Sequence, residues 1–147
     1  MRYTINQINE GDDELILNYQ QLNSEVEAVL VFMEKHQKKL MGKSNGETVL
    51  FSPQEILYVE KVDDRTFVYT ADKEIQMDMS LYSIELLLND EHYFRCSKSM
   101  IINVDKVERL KSMSSNRIDA TLVNGEHIII SRTYASDFRK LLKGEQA

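Results

Sequence analysis

The sequence predicts a mainly β fold with small helices, preceded by a short N-terminal extension of strands and one helix. Three observations predict this class. From Glu47 onward, short segments rich in β-branched and aromatic residues alternate with polar turns. Asn124-Gly125 is the strongest hairpin signal in the chain, because a two-residue type I′ turn needs positive φ at both central positions. The apolar stripes that follow Ser80 and Ser131 have helical spacing but are short, so they predict small helices.

Two short strands are predicted before the first helix. Residues 3–8 and 15–18 contain strand-forming side chains, and the turn-prone residues 11–13 separate them. We therefore expect a small α/β extension over residues 1–46, with a regulatory or dimerisation role.

One amphipathic helix is predicted over roughly residues 24–40. Ser24 and Glu27 have the spacing of a capping box. Apolar side chains then follow at i, i+3, i+4 and i+7, namely Val26, Val29, Leu30 and Met33. The sequence MGKSNG at residues 41–46 breaks this pattern with two glycines and an asparagine, so we place the domain boundary there.

The second domain, residues 47–147, is predicted to contain nine strands and two helices. The predicted strands are residues 47–51, 56–62, 66–71, 74–78, 94–96, 99–103, 106–110, 117–123 and 126–131. Ser80 is expected to cap the first helix, and Ser131 or Thr133 the second. The apolar stripes are Leu81, Ile84, Leu87 and Leu88 in the first helix and Tyr134, Phe138, Leu141 and Leu142 in the second. Both stripes are most simply explained by core packing.

Charge is unevenly distributed along the 147 residues, whose formal net charge is −6. Residues 47–94 carry eight more acidic than basic side chains, whereas residues 95–143 carry five more basic than acidic ones. A polyanion responds to the charge within a Debye length of about 10 Å. The basic final third can therefore bind a polyanion although the whole chain is acidic.

Cellular location and covalent cross-linking are constrained by composition. Cys96 is the one cysteine, so no intramolecular disulfide is possible, and the N-terminus lacks an apolar signal core. No apolar run approaches the roughly 20 residues that cross a bilayer. We therefore expect a cytoplasmic protein.

The residue patterns of metal and cofactor chemistry are missing. His36, His92 and His127 have no Cys, His or carboxylate partner at zinc-site spacing, and the chain has no Gly-rich phosphate loop. Cys96 is a conceivable nucleophile with His92 or His127, but its apolar strand context is more typical of an inert thiol. We predict no metal, no cofactor and no enzymatic activity.

The segment FRCSKSMIIN at residues 94–103 places basic and small hydroxyl side chains directly before a run of apolar strand formers. Basic and hydroxyl side chains at the end of a buried strand offer donors to phosphates and base edges. Arg95 is open to two interpretations, because on a strand it can either pair with an acid such as Glu60 or contact nucleic acid.

Three segments of the chain carry motifs whose order and spacing are informative together, namely ILYVEKVDDRTFVYT at 56–70, YFRCSKSMIINVDKVERL at 93–110 and ISRTYASDFRKLL at 130–142. Together they resemble the LytTR family of DNA-binding domains from bacterial transcriptional regulators. The most specific features are the strand pattern around Glu60, the F-x-R-x-x-[KR]-S-x-x-[IV]-N block and the S-R-x-Y close. The resemblance covers about residues 47–143. It implies a compact, mostly antiparallel β fold that reads double-stranded DNA through loops at strand ends.

The resemblance also implies which loops contact DNA. The implied residues are Arg65 or Thr66 in the first loop, Ser97, Lys98 and Ser99 in the second, and Ser131, Arg132 and Thr133 in the third. Further phosphate contacts are expected from Arg117, Arg139, Lys140 and Lys143. Arg can fork to guanine or to phosphate, whereas Lys supplies a mobile point charge. Ser97 departs from the family pattern, in which many members carry histidine.

Regulation and assembly are also suggested by the resemblance. Residues 1–46 are too few for the phosphorylatable receiver domain of many relatives, so we expect a free-standing regulator. It is expected to bind repeated promoter half-sites as a homodimer, and a small membrane protein is a conceivable regulatory partner. The predicted helix at 24–40 either packs locally or forms a dimerisation or docking surface.

One alternative function belongs to a different class. A β-domain that binds an acidic protein would use the same basic final third. It predicts salt-sensitive protein association without any DNA preference.

Overall fold

The computed structural model describes residues 1–37, 39–88 and 92–144. The chain divides into two compact units, Met1–Lys38 and Lys39–Ala147. The described elements are, in chain order, α1 (Ser24–Gln37), β1 (Leu40–Ser44), β2 (Glu47–Phe51), β3 (Tyr58–Val62), β4 (Arg65–Tyr69), β5 (Glu74–Met77), α2 (Leu81–Leu87), β6 (Tyr93–Ser97), β7 (Met100–Asn103), β8 (Val107–Met113), β9 (Arg117–Leu122), β10 (His127–Ile130) and α3 (Arg132–Leu142). The predicted class, mainly β with small helices, is confirmed.

The two strands predicted at residues 3–8 and 15–18 do not form. Residues 1–23, all of which the structure describes, contain no strand. Their apolar side chains are solvated rather than packed, as shown by Tyr3 at 80% and Ile5 at 87% exposure. A two-stranded hairpin without a further layer is marginal in water, so strand-forming residues alone did not suffice.

Helix α1 begins as predicted but has a different cap and an earlier end. The Asn23 side-chain oxygen accepts a hydrogen bond from the Val26 backbone N–H at 3.0 Å, so Asn23 is the cap and the predicted Ser24–Glu27 capping box is wrong. The described helix ends at Gln37, and Leu40, predicted to be helical, is the first residue of β1. Lys38 lies outside the described residues.

The sequence MGKSNG forms part of a β-hairpin instead of breaking the chain. Strands β1 and β2 pair antiparallel from Leu40↔Phe51 to Ser44↔Glu47. Asn45 and Gly46 join them with φ of 50° and 79°, the signature of a two-residue type I′ turn. The predicted boundary between residues 46 and 47 therefore falls inside a hairpin, and the second compact unit already begins at Lys39.

The strands of the second unit form two antiparallel sheets. The larger sheet has the order β2-β1-β5-β4-β3-β7-β6, and the smaller has the order β10-β9-β8. Each of the nine predicted strands is present, with ends shifted by a few residues, and β1 is the strand that was not predicted. None of the described helices is long and apolar enough to cross a membrane.

Two apolar cores stabilise this unit. The first packs α2 on one face of the larger sheet, and its members include Phe51, Ile56, Val59, Val68, Ile75, Leu81, Ile84 and Ile101. The second joins the larger sheet, the smaller sheet and α3, and its members include Leu57, Tyr58, Cys96, Ile102, Ile118, Leu122, Ile130 and Phe138. Core packing is confirmed for Leu81, Ile84 and Leu88 of the first predicted stripe and for Phe138 of the second, but it is wrong for Leu142, which is 45% exposed at the end of α3.

The hairpin predicted at Asn124-Gly125 is present, but its turn type is wrong. Gly125 N–H donates to the Leu122 carbonyl at 2.9 Å, and Gly125 has φ of 89° whereas Asn124 is not in the positive-φ region. The loop therefore has three residues, a type I turn followed by a left-handed glycine. The side-chain oxygen of Asn124 accepts from Glu126 N–H at 3.2 Å, which stabilises this longer turn.

Candidate nucleic-acid interface

The first two predicted loops lie side by side at one end of the larger sheet. The β3–β4 turn is closed by the pair Val62↔Arg65, and β7 pairs with the same end of β3 through Glu60↔Met100. The Lys61 N–H donates to the Ser99 carbonyl at 2.8 Å. This backbone hydrogen bond joins the β3–β4 turn directly to the β6–β7 turn.

The third predicted loop is tied to the second by another backbone hydrogen bond. The Ser131 N–H donates to the Cys96 carbonyl at 2.9 Å, which fixes the start of α3 beside the end of β6. Within the smaller sheet, Ile130 pairs with Ile118. Arg117, which precedes Ile118, therefore lies at the same end as the start of α3. The fold brings together three loops that are far apart in sequence.

The β6–β7 turn presents Lys98 and uses its serines internally. Lys98 is exposed, whereas Ser97 and Ser99 are half-buried. The Ser97 hydroxyl accepts from the Ser99 N–H at 3.2 Å and lies 3.4 Å from the Ser99 hydroxyl. Of the three predicted residues in this loop, Lys98 is the one whose side chain projects to solvent, and the serines shape the turn.

Arg95 is engaged inside the domain. Its Nη1 donates to Glu85 Oε2 at 2.9 Å, and its Nε donates to the Ser97 carbonyl at 2.7 Å. The partner acid is Glu85 of α2, not Glu60, which sequence reasoning had suggested. Glu85 was missed because helix-to-strand contacts of this kind have no signature in local sequence.

Arg65 and Thr66 differ sharply in their availability. Arg65 is exposed as the first residue of β4, whereas Thr66 is only 4% exposed and lies within the sheet. Thr66 is therefore removed from the residues expected to contact DNA. The two neighbours differ because a strand alternates its side chains between two faces. Asp63 and Asp64, with φ of 50° and 64°, form the adjoining turn and place two acids beside Arg65.

The start of α3 is open to solvent. Arg132 and Thr133 are exposed in its first turn, and Ser131 is half-buried at the N-cap. The Ser131 side chain makes no capping hydrogen bond, so its hydroxyl is not committed to the helix backbone. Free N–H groups and the helix dipole favour an anion at this position, and Arg132 adds a full positive charge.

Two of the arginines predicted to contact phosphate also hydrogen-bond to a neighbouring turn. Arg139 Nη1 donates to the Asn116 side-chain oxygen at 2.8 Å, and Arg117 Nε donates to the Ser114 carbonyl at 3.3 Å. Lys140 is exposed in the last turn of α3 and Lys143 is exposed directly after it. Both arginines therefore stabilise the β8–β9 turn, Arg117 from β9 and Arg139 from the last turn of α3.

The remaining reactive groups are engaged in contacts outside this surface. Cys96 is fully buried, and burial raises the pKa of its thiol to about 12, which keeps it protonated near neutral pH. His92 Nδ1 lies 2.6 Å from Asp105, and His127 Nδ1 lies 2.9 Å from Asp119. Over residues 1–37, 39–88 and 92–144, no group of three metal-ligating side chains converges. The side chain of His36 is not among those described.

Comparison with known proteins finds one matching family and several related regulators. The family described as the LytTr DNA-binding domain matches residues 46–143. The chain is 23% identical over 129 residues to the sensory transduction protein LytT of Bacillus subtilis, covering 88% of this chain and 54% of that protein. It is 27% identical over 125 residues to the transcriptional regulatory protein YpdB of Escherichia coli K12, covering 84% and 50% respectively.

A solved structure shares the fold. It is the LytTr DNA-binding domain of a protein from Bacillus cereus described as a methyl-accepting/DNA response regulator. The TM-score is 0.68 at 27% identity, with 72% of this chain and 97% of that chain covered. This chain spans about half the length of the curated relatives that it matches.

Proposed function

Because the chain belongs to the LytTr DNA-binding domain family, we propose that it is a sequence-specific DNA-binding transcriptional regulator. It reads double-stranded DNA through the three loops at one end of its sheets. The observation that carries this proposal is the pair of backbone hydrogen bonds, Lys61 to Ser99 and Ser131 to Cys96, that joins those loops into one surface. Separate loops of a protein can contact the bases of one DNA site together only if the spacing between the loops is fixed.

Each exposed side chain of the surface has a role suited to its chemistry. Lys98 reaches into a groove as a mobile cation, and Arg132 forks to guanine or to a phosphate. Arg65 supplies a further cationic contact from the β3–β4 turn. The Ser131 and Thr133 hydroxyls adjust as donors or acceptors, and Arg117 binds phosphate at the edge. Ser97 and Ser99 act through the turn that they shape.

Assembly and control are proposed from the N-terminal unit. The N-terminal unit leaves several large apolar side chains exposed, among them Tyr3 at 80%, Ile5 at 87% and Ile16 at 67%. Apolar surface of this extent suits a second copy or a regulatory partner, which would include a small membrane protein. We propose a homodimer on repeated half-sites, acting in the bacterial cytoplasm where its DNA lies.

The proposal is tested by selecting DNA from a random duplex library with the full chain. A protein that reads bases enriches a defined sequence and prefers it over a scrambled duplex as salt rises. A protein that senses only phosphates enriches nothing, and its binding collapses with salt. That result, together with salt-sensitive capture of an acidic protein, would support the alternative protein-binding function instead.

Lys98→Ala and Arg132→Ala assign the contacts. Each is expected to weaken binding to the selected duplex by about tenfold or more, without changing the melting temperature. Lys73→Ala is the matched control for lysine, because Lys73 is exposed in the β4–β5 turn at the opposite end of the same sheet. Arg109→Ala, exposed on β8, is the control for arginine. Equal losses in all four variants would show a general charge effect, not a reading surface.

A further inference from the structure

Arg95 makes three hydrogen bonds around the turn that carries Lys98. Its Nε donates to the Ser97 carbonyl at 2.7 Å, its Nη2 donates to the Lys98 carbonyl, and its Nη1 donates to Glu85 Oε2 at 2.9 Å. We propose that Arg95 and Glu85 are a positioning pair that holds the β6–β7 turn in the conformation that binds DNA. The inference rests on the proposed function, because it concerns how Lys98 is presented to DNA.

The β6–β7 turn needs such a clamp because its hairpin is irregular. Arg95 pairs with Ile101 and Ser97 pairs with Met100, so the register shifts between Arg95 and Ser97. A bulge of this kind bends the strand and re-aims the side chains that follow it. Hairpin pairing alone therefore leaves the direction of Lys98 undetermined. Two hydrogen bonds to successive carbonyl groups, at Ser97 and Lys98, determine it.

Arginine is the side chain suited to this position. Its planar guanidinium carries five N–H donors in a fixed fork, so one group can reach two carbonyl groups and a carboxylate at once. Lysine has a single mobile ammonium and would satisfy fewer of these acceptors. Arg95 and Glu85 have side-chain exposures of 24% and 37%, so this network is partly shielded from water.

The charge of Arg95 is used within the domain. Glu85 neutralises it at 2.9 Å, and all three nitrogens of the guanidinium donate to protein acceptors. A phosphate contact from Arg95 would require breaking the Glu85 pair. Its contribution is therefore to geometry, and the salt dependence of DNA binding should depend little on it.

The clamp also affects the third loop. Cys96 lies between Arg95 and Ser97 in sequence, and its carbonyl accepts the Ser131 N–H at 2.9 Å. A displacement of the β6 end therefore displaces the start of α3, where Arg132 lies. The same pair therefore supports two of the three loops, and its loss is expected to weaken the contacts of both Lys98 and Arg132.

The test uses the full chain and the duplex selected by the wild-type protein. Glu85→Gln keeps the size of the side chain and an acceptor oxygen but removes the charge, so the domain should stay folded. It is expected to lower affinity for the selected duplex about tenfold, with scrambled-duplex affinity and the salt slope unchanged. Arg95→Lys should do the same. Glu74→Gln, an exposed acid at the far end of the sheet, is the control and should change nothing.

A second readout separates positioning from general stabilisation. If Glu85 acts through Lys98 and Arg132, then adding Glu85→Gln to Lys98→Ala should cost about threefold instead of about tenfold, because one of the two side chains that it positions is already gone. In the free protein, Glu85→Gln should shift the amide resonances of Lys98 and Ser99 while the melting temperature stays near that of wild type.

The outcomes that overturn the inference are distinct from failure of the proposed function. Wild-type protein that prefers no duplex overturns both. A wild-type preference that survives in Glu85→Gln and Arg95→Lys overturns the positioning pair alone. The positioning pair is also overturned if the affinity losses of Glu85→Gln and Lys98→Ala are additive in the double variant. Arg95→Gln, which removes the positive charge, tests the remaining possibility: equal losses for selected and scrambled duplexes, with a salt slope reduced by about one, would instead make Arg95 a phosphate contact.

Discussion

Neighbouring residues on a strand differ in side-chain exposure, and we expect this difference to determine which of them can contact DNA. Arg65 and Thr66 were equivalent candidates in the sequence, yet Arg65 is exposed and Thr66 is 4% exposed. The alternation of a β-strand explains the difference, because successive side chains point to opposite faces of the sheet. In the β6–β7 turn the cause is different: Ser97 and Ser99 are half-buried and hydrogen-bond to each other, whereas Lys98 between them is exposed.

We predict that Arg65→Ala and Thr66→Val separate binding from stability. Arg65→Ala should weaken DNA binding and reduce its salt slope by about one, because one cationic contact is lost. Thr66→Val should leave DNA binding unchanged and alter the free energy of unfolding by about 1 kcal/mol, since it replaces a buried hydroxyl by a methyl group. Salt-dependent binding and urea unfolding measure the two effects. A loss of binding in folded Thr66→Val would return Thr66 to the interface.

Turns are the elements in which sequence and structure differ most. Asn124-Gly125 is predicted to form a type I′ turn and lies in a three-residue loop, whereas Asn45-Gly46, predicted to lie at the domain boundary, forms the type I′ turn. The dipeptide has the same local preference at both places. The register of each strand against its partner determines which of the two turns forms. Gly42 is expected from the sequence to break a helix, but it lies in β1, where its lack of a side chain allows β1 to lie against β5.

The β3–β4 turn gives a prediction at this scale. Asp63 and Asp64 occupy positions with φ of 50° and 64°, where Asn-Gly is the preferred pair. Asp63→Asn with Asp64→Gly should raise the free energy of unfolding by about 1 kcal/mol. It should also tighten DNA binding at low salt, because two carboxylates beside Arg65 repel phosphates. Thermal unfolding and binding at two salt concentrations check both effects.

The contrary result would also be informative. Weaker binding to the selected duplex, with scrambled-duplex binding improved, would mean that one of the two carboxylates accepts a hydrogen bond from a cytosine amino group. Glu74→Gln is the control for the loss of an acidic charge, because Glu74 lies at the other end of β4 and β5. It should leave DNA binding unchanged.

At the scale of the whole molecule, local patterns predict most elements but not the contacts between them. Nine of the ten strands described in the structure and its small helices were predictable from periodicity, whereas β1 was not predicted and the strands expected at residues 3–8 and 15–18 do not form. The links between loops were not, since Lys61 meets Ser99 and Arg95 meets Glu85 only after tertiary packing. Sequence identifies which side chains are suitable, and topology determines which of them share a surface.

The two sheets are joined by a hydrogen bond that predicts a pH dependence. The Tyr58 hydroxyl donates to Glu126 Oε2 at 2.7 Å, linking the larger sheet to the β9–β10 turn. Burial first, and then the hydrogen bond to Glu126, raise the pKa of Tyr58 well above its usual value of 10. Between pH 10 and that higher value the unfolded chain loses a proton that the folded chain keeps. Stability should therefore be complete below pH 10 and fall above it.

Tyr58→Phe tests this link. The variant should lose about 1–2 kcal/mol of unfolding free energy at pH 7 and should show a weaker decline between pH 9 and pH 11. Urea unfolding at several pH values measures both quantities. Tyr82→Phe, at an exposed tyrosine of α2, is the control and should follow the wild-type pH profile. An unchanged profile in Tyr58→Phe would assign the alkaline sensitivity to another group, of which the stacked neighbour Tyr69 is the first candidate.

Two N-terminal deletions of different length test the role proposed for the N-terminal unit. Removing Met1–Lys38 should leave a folded second unit, because that unit begins at Lys39 and β1 stays whole. Removing residues 1–42 should unfold the sheet edge, since Leu40, 7% exposed and paired with Phe51, is lost from the core. If α1 mediates dimerisation, the shorter deletion is monomeric by light scattering, still binds a single half-site, and loses the tighter binding to a repeated site. A dimer that persists without Met1–Lys38 would move the self-association surface to the second unit.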